Sequence, residues 1–170
     1  MSQAPLIDDQ ALGYEQPRNI QFSVFLDNRV GKLLELVQVF EGHALAIAGL
    51  SVIDSADHAV VRLITSRSDL ARRLLTRHKL PFSEKEVLVV ELTRNHTMAT
   101  MCLALLGAEL NIHYAYPLLV RPHDLPTIAL QCDDHTLACQ ILLRKRFTLL
   151  GENDLGENAT NSDAATPQEE

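Results

Sequence analysis

The sequence is poor in aromatic residues and in long apolar runs. It contains no Trp, three Tyr and five Phe among 170 residues, so we expect a core of aliphatic side chains. No apolar run reaches the roughly 18 residues that a membrane-spanning helix needs. The first ten residues also lack the basic and apolar regions of a secretory signal peptide. These absences predict a cytoplasmic protein with no membrane partner.

Cysteine is scarce and forms no paired motif. Cys102, Cys132 and Cys139 are odd in number and lie within apolar patterns, which predicts buried, reduced thiols. The segment Cys132–His135 is dense in possible ligands, but the paired spacings of zinc sites are absent, so we expect no metal and no cofactor. No nucleophile motif and no glycine-rich phosphate loop occurs either. We therefore predict no catalytic residues and no enzymatic activity.

The negative charge is concentrated at one end of the chain. Six of the 22 acidic residues follow Gly151, and the remaining 16 face 15 basic residues. A nearly neutral body lacks the basic surface of a nucleic-acid-binding protein. Short basic runs at Arg72–Lys79 and Arg144–Arg146 are typical of exposed helix ends, where cations favour the helix dipole. We expect no nucleic-acid partner.

The chain contains an internal repeat. Segment 22–47 matches segment 87–112 at a constant offset of 65 residues, for example Arg29 with Arg94 and Leu45 with Leu110. Further along the offset grows to 67, where Leu74 matches Ile141. A period this long indicates two small domains rather than a stacking repeat.

Apolar periodicity predicts the same order of elements in both copies. The first copy predicts strands at Ile20–Leu26, Leu45–Ile53, Ala59–Thr65 and Phe82–Ser83, a helix that carries Leu33, Leu34, Val37 and Phe40 and ends at Gly42, and a helix capped by Ser68 or Asp69. The second predicts strands at Val87–Leu92, Asn111–Leu119, Thr127–Cys132 and Phe147–Leu150, and helices at Thr97–Leu106 and Asp134–Arg146. This is the α+β class: two tandem ferredoxin-like βαββαβ units with antiparallel sheets.

These patterns also predict the domain boundaries. We expect an N-terminal arm at residues 1–19, a first unit at 20–85, a second unit at 86–155 and an acidic, disordered tail at 156–170. A sheet covered by helices on one face leaves its other face exposed. We expect the two units and a second chain to cover it, which predicts a homodimer.

The strongest local signal is the turn that opens the first helix. The sequence Asp27-Asn28-Arg29-Val30-Gly31 leads directly into apolar residues at helical spacing. Unpaired backbone N–H groups at such a turn attract a carboxylate, and a glycine lets a ligand approach the backbone closely. Plain strand-to-helix turns that bind nothing share this pattern, so both interpretations stay open here.

The segment Asn28–Leu33, with Gly42 and Leu45–Ile47 after it, resembles the ACT domain family. That family opens with Asp-x-Pro-Gly-x-Leu and later has Ile/Val-Asn-Ile/Val, which Leu110-Asn111-Ile112 matches in the second copy. The chain is similar to tandem ACT proteins, small amino-acid binders with no catalytic domain attached. The resemblance implies the ligand-binding residues Asn28, Arg29, Val30, Gly31, Lys32, Leu33, Ala46, Ile47, Asn95, His96, Thr97, Met98, Asn111 and Ile112.

The two copies depart from the family in different ways. Val30 replaces the family's Pro in the first copy, where Ala46 also replaces the later Asn. His96 stands at the position of Gly31 in the second copy. A neutral His96 could contact a ligand or cap its own helix. A composite site could combine the Gly31 loop of one copy with Asn111 of the other.

The resemblance implies a non-enzymatic regulator that binds a small metabolite, first of all an amino acid, at a domain or subunit interface. Asn28–Leu33 would hold the carboxylate, and Ala46–Ile47 or Asn111–Ile112 would line the side-chain pocket. Two alternatives stay open: a regulatory small subunit that docks on a separate biosynthetic enzyme such as acetolactate synthase, and a purely structural dimerisation module.

Overall fold

The structure, a computed structural model, describes residues 16–55 and 57–159 and contains two βαββαβ units. The first comprises β1 (Asn19–Asp27), α1 (Lys32–Gln38), β2 (Ile47–Ser55), β3 (His58–Thr65), α2 (Ser68–Arg77) and the first part of β4 (Phe82–Glu91). The second comprises the rest of β4, α3 (Met98–Leu106), β5 (Ile112–Pro117), β6 (Thr127–Cys132), α4 (His135–Arg144) and β7 (Thr148–Leu150). A 3₁₀ helix at Glu152–Ala159 follows. The predicted fold class is confirmed.

The two units share one strand. The strand order is β2-β3-β1-β4-β6-β5, with β7 pairing to β4, and every pair is antiparallel. The first part of β4, up to Val87, pairs with β1, and the part from Leu88 onward pairs with β6 and β7. The two strands expected at Phe82–Ser83 and Val87–Leu92 are therefore one. The boundary expected between residues 85 and 86 lies inside β4.

The predicted offset of 65 residues holds for the first helix of each unit but not for the first strand. Leu36 and Phe40 of the first unit correspond to Met101 and Leu105 at the expected offset of 65, and all four are buried. In the strand, however, Phe22 corresponds to Leu88, because both face the helices. The offset there is 66, so the constant 65 across segment 22–47 was wrong. Side chains alternate between the two faces of a strand, so an offset that is wrong by one residue would match core-facing residues with residues of the opposite face.

Each unit packs its two helices on one face of its sheet. The first core contains Phe22, Val24, Val61 and Leu63 from the strands and Leu36 and Leu75 from the helices. The second core contains the corresponding residues, including Leu88, Leu130 and Leu142. Aliphatic residues dominate both, as the lack of Trp predicted. Burial at roughly 25 cal/mol per Å² of apolar surface makes these cores the main stabilising contribution.

The opposite faces of the two sheets cover each other in part. Ile64 of the first unit and Val89, Tyr116 and Ala129 of the second form a buried cluster between the units. Leu155 of the 3₁₀ helix is 1% exposed and completes this cluster. The expectation that the units cover each other's open sheet faces is thus confirmed for this part of the interface.

A polar layer lies beside that apolar cluster. The Gln21 side chain is fully buried; its amide donates to the Tyr114 hydroxyl at 2.8 Å, and its carbonyl accepts from Tyr116 Oη at 2.8 Å. The Arg62 guanidinium lies 3.5 Å from the centre of the Tyr114 ring. Burial raises the pKa of Tyr116 well above its usual range, so its hydroxyl stays protonated and can donate. Buried hydrogen-bonded groups of this kind fix the register of two faces.

Helix α1 turns only part of the predicted face to the core. Leu33 and Leu34 are 41% and 59% exposed, whereas Phe40, as predicted, is buried together with Leu36 and Val39. The apolar residues of α1 occupy adjacent positions, so two helix faces satisfy the same spacing. Contact with β1 selects the second one.

Two further local predictions were wrong. Helix α2 has Arg67 at its N-cap position, and neither Ser68 nor Asp69 caps it with its side chain. Cys102 is exposed on α3, whereas Cys132 and Cys139 are buried as expected. The predictions for the N-terminal arm up to residue 15 and for the tail from residue 160 lie outside the described residues. Residues 156–159 form the end of the 3₁₀ helix.

Candidate functional site

The loop between β1 and α1 is fastened to the β2–β3 hairpin. The backbone N–H of Asn28 donates to the carbonyl of Asp57 at 3.2 Å. Its side-chain amide donates to Asp54 Oδ1 at 2.7 Å. Arg29 folds back onto the Asp27 carboxylate. The hydrogen bond from Arg29 holds the pKa of Asp27 below its usual value, so the Asp27 carboxylate is charged at neutral pH.

Gly31 gives this loop an open backbone. Its φ of 90° lies in the left-handed region, and a Cβ added there would meet nothing within 4 Å. Val30 beside it is fully exposed. Within the described chain, no backbone carbonyl accepts a hydrogen bond from the N–H of Val30 or of Gly31. A ligand can therefore reach the backbone at Gly31 without moving a side chain.

The predicted strand-start residues lie far from this loop. Ala46 precedes β2, whereas the Gly31 loop contacts the hairpin at the other end of β2. A nine-residue strand spans roughly 25 Å. The second unit has the same arrangement, with Asn111 directly before β5. The structure therefore does not bring the two predicted halves of the site together within one unit.

The residues that precede β2 and β5 both donate their backbone N–H to a side-chain oxygen of the neighbouring segment. The N–H of Ala46 donates to Ser66 Oγ at 2.9 Å, and the N–H of Ser66 donates back to the carbonyl of Ala46 at 3.0 Å. The N–H of Asn111 donates likewise to Asp133 Oδ1 at 3.1 Å. The backbone N–H groups at both strand starts are thus occupied by protein acceptors.

His96 neither caps its helix nor projects freely. Thr97 is the N-cap of α3 and exchanges two hydrogen bonds with Thr100. The His96 ring packs edge-on against Phe147 with centroids 4.8 Å apart, and Nε2 lies 3.2 Å from the carbonyl of Lys145. A carbonyl only accepts, so Nε2 carries the proton, and Nδ1 can then accept from the Thr93 hydroxyl. In the second loop, a histidine side chain packed on Phe147 therefore stands at the position where the first loop has the open backbone of Gly31.

A groove runs along α1 in the first unit. Its volume is about 330 Å³, and we call it the first groove; it is lined by Phe25, Leu26, Asp27, Lys32, Glu35, Leu36, Val39, His78, Leu80 and Pro81. The residues from α1 repeat at helical spacing along one face. Groups of both charge signs surround apolar side chains here. Of these residues, only Lys32 belongs to the predicted site.

The second unit has a corresponding groove of about 390 Å³. This second groove is lined by Asn95, His96, Thr100, Leu103, Ala104, Lys145 and Phe147. Glu35 corresponds to Thr100 and Leu80 to Phe147 by the internal repeat. The turns after α2 and α4 are equivalent in detail, since the N–H of Leu80 donates to Leu75 and that of Phe147 to Leu142. Sequence reasoning missed Glu35, His78 and Leu80, although the late offset of 67 pairs the latter two with Lys145 and Phe147.

The His, Cys and acidic side chains of the described residues form no metal cluster. No cluster of three or more His, Cys, Asp or Glu side chains in residues 16–55 and 57–159 could hold a metal ion. Burial raises the pKa of the Cys132 and Cys139 thiols, which keeps both protonated. No helix in the described parts of the chain is long and apolar enough to cross a membrane.

Comparison with known proteins identifies the family. The family described as the ACT domain pair matches residues 19–159. Most of the chain lies within that match, so the chain belongs to the ACT domain pair family. This confirms the resemblance drawn from the Gly31 loop and from Leu110-Asn111-Ile112.

Solved structures share the fold. Protein BT0572 from Bacteroides thetaiotaomicron matches with a TM-score of 0.72 and 21% identity, over 82% of this chain and 96% of that one. The ligand-free regulatory subunit of aspartate kinase from Thermus thermophilus matches with a TM-score of 0.51 and 9% identity, over 76% of this chain and 93% of that one. At such low identity these likenesses show the fold alone. Among curated proteins no sequence match was found.

Proposed function

We propose that this protein is a non-enzymatic regulator that binds an amino acid. Membership of the ACT domain pair family supports a regulatory role, as does the shared fold with a regulatory subunit of aspartate kinase. The observation that carries the proposal is the open left-handed backbone at Gly31 beside a groove with both charge signs. In this proposal the loop Asn28–Leu33 receives the carboxylate of the ligand.

The location of the remaining site residues favours an interface. Ala46 and Ile47 lie at the opposite end of β2 from the Gly31 loop, and Asn111 and Ile112 lie at the start of β5. A ligand held by the loop could meet such a strand start on a second copy of the chain. The second loop contains the predicted residues Asn95, His96, Thr97 and Met98. It lacks an open glycine, and its His96 ring packs against Phe147.

The exposed edge of the sheet supports a homodimer. Strand β2 is an edge strand whose residues after Gly49 pair only with β3 among the described strands. Val52 and Ile53 on it are 47% and 36% exposed. Its sequence has no Lys, Arg or Pro, the residues that usually protect an edge. Strand β5, at the other end of the strand order, ends in Pro117 and has an irregular register near Ile112, so it is protected.

One observation favours the alternative of an enzyme-bound regulatory subunit. Helix α3 exposes Met98, Leu103 and Leu106, which are 48%, 64% and 68% accessible. A partner enzyme, such as one of amino-acid biosynthesis, could cover this apolar helix face. Co-purification of an enzyme with the tagged full chain, lost on replacing Leu103 and Leu106 by Gln, would support this alternative.

The test of the main proposal is a ligand screen. Melting temperatures are measured with each of the twenty amino acids, and calorimetry then gives affinity and stoichiometry for each amino acid that raises the melting temperature. Binding to the native state raises the melting temperature. We expect at least one amino acid to do so and to bind at micromolar to millimolar concentration. If none of the twenty does, the protein is a dimerisation module or recognises something else, and the proposal fails.

A further inference from the structure

We infer that the first groove binds a free amino acid with an apolar side chain, holding its ammonium at Glu35, its carboxylate at Lys32 and its side chain between α1 and Leu80. This inference rests on the proposed function, and it adds the type of amino acid and the pocket that holds it. It differs from that proposal because it places the ligand within one unit rather than at an interface.

The size of the groove suits such a ligand. Its volume of about 330 Å³ lies at the lower end of the roughly 300–1,000 Å³ of small-molecule sites. An amino acid fits this space, whereas a nucleotide cofactor would need more. The groove opens beside the Gly31 loop, since Asp27 and Lys32 flank that loop and line the groove.

The charges at the groove complement a zwitterion. Lys32 Nζ and Glu35 Oε2 lie 2.6 Å apart as a partly exposed ion pair. Such exposed pairs contribute little to stability, so exchanging them for ligand groups costs little. The ammonium of an amino acid matches Glu35, and its carboxylate matches Lys32. Asp27 also lines the groove, but its partner Arg29 lies outside it.

The floor of the groove selects the side chain. Leu26, Leu36 and Val39 are nearly buried members of the first core and present their edges to the groove, with Leu80 packed against them. A polar ligand side chain there would lose water without gaining a partner, which is costly. An aliphatic side chain gains apolar contact instead. His78, the C-cap of α2, also lines the groove.

The second groove lacks the acidic group that would bind the ammonium of an amino acid. Thr97 and Thr100 stand at the positions of Lys32 and Glu35, and no acidic residue lines the second groove. Lys145 is its single charged residue, and His96 already contacts Phe147 inside it. A zwitterion would find no carboxylate there to pair with its ammonium. The inference therefore predicts one such site in each chain.

The test is calorimetry on the full chain with four probes. L-Leucine is compared with 4-methylpentanoate, which lacks the ammonium, with 3-methylbutylamine, which lacks the carboxylate, and with L-aspartate. We expect leucine to bind with one site per chain and at least about tenfold more tightly than the other three, because each lost charged hydrogen bond is worth about tenfold or more.

Two variants locate the ligand. Glu35→Gln should weaken leucine at least about tenfold while leaving 4-methylpentanoate unchanged, and Lys32→Gln should weaken both. Glu41→Gln, an exposed residue beyond the end of α1 and outside the groove, is the matched control and should bind as wild type does. Circular dichroism melts verify that all three fold.

The outcomes separate the inference from the proposed function. If some amino acid binds wild type but Glu35→Gln and Lys32→Gln bind it equally well, the groove is wrong and the regulator stands. Tighter binding of aspartate than of leucine also overturns the inference. If no amino acid binds wild type, both fail.

Discussion

The carboxylate of Glu152 accepts a hydrogen bond from the backbone N–H of Ser68, 84 positions earlier in the chain. Its other oxygen accepts from Ser68 Oγ at 3.0 Å. Helix α2 thus receives its N-terminal acceptor from the segment after β7, which belongs to the second unit. In the second unit, by contrast, Asp134 caps α4 locally by accepting from Leu137. Glu152 therefore joins the two units at a helix end.

Replacing Glu152 by Ala should lower the free energy of unfolding by about 1–2 kcal/mol, the usual cost of a lost N-cap acceptor next to the helix dipole. Urea denaturation measures this change. Asn153→Ala, an exposed neighbour in the same 3₁₀ helix, is the control and should stay within about 0.5 kcal/mol of wild type. An unchanged stability for Glu152→Ala would show that the contact contributes nothing.

Gly31→Val should abolish amino-acid binding, because the added side chain blocks approach to the backbone. The positive φ should also cost about 1–3 kcal/mol of stability. Gly42→Val is the matched control: its φ of 75° gives similar strain, and a Cβ there also meets nothing within 4 Å. Calorimetry on both variants separates lost binding from lost stability.

His96→Ala completes that comparison. We expect it to retain binding at the first loop, since His96 contacts Phe147 and Lys145 in the second unit. If Gly31→Val binds as wild type does, the ligand does not need the Gly31 backbone. If His96→Ala alone removes binding, the second loop is the working site.

Val52→Lys should convert a dimer into a monomer. A lysine on the exposed edge of β2 opposes strand pairing with a second copy, as charged edge residues do in natural sheets. Light scattering during gel filtration measures the mass. The control is Val30→Lys, a fully exposed valine on the loop, which should leave the mass unchanged. Finding wild type as a monomer at micromolar concentration would contradict the homodimer itself.

The free energy of unfolding should fall as the pH drops below about 6.5. Burial lowers the pKa of His135 below its ordinary 6.5 in the folded state. The unfolded chain therefore binds a proton first as pH falls, and stability is lost between 6.5 and the lower folded pKa. Urea denaturation at several pH values measures this slope, and His135→Gln should reduce it.

A second titration acts in a separate pH range. The Arg72 side chain holds the pKa of Glu84 below its ordinary 4.5. Glu84 therefore contributes stability that is present above pH 4.5 and is lost as the pH falls through its lower folded pKa.

The prediction for His135 concerns the range near pH 6. If the slope of stability against pH there is equal in wild type and His135→Gln, His135 does not cause it.

Local signals in the sequence determined the order of elements, the repeat and the special loop. Strand and helix periodicities are properties of neighbouring residues, so the βαββαβ order could be read twice without any tertiary knowledge. Gly31 could be recognised because a turn that opens a helix is encoded within a few residues; its left-handed φ of 90° is a feature that the structure adds.

The tertiary structure decided what depends on residues distant in sequence. Contact with β1 selected Leu36 rather than Leu33 for the core, although the helical spacing allows both. The continuity of β4 depends on its pairing with β1 and β6, which are distant in sequence. The cap that Glu152 gives to α2 likewise joins residues whose proximity no local pattern encodes. The first groove likewise arises where α1 meets the turn after α2, some forty residues further along the chain. Local periodicity specifies which residues are apolar and in which element, but only packing decides which of them meet.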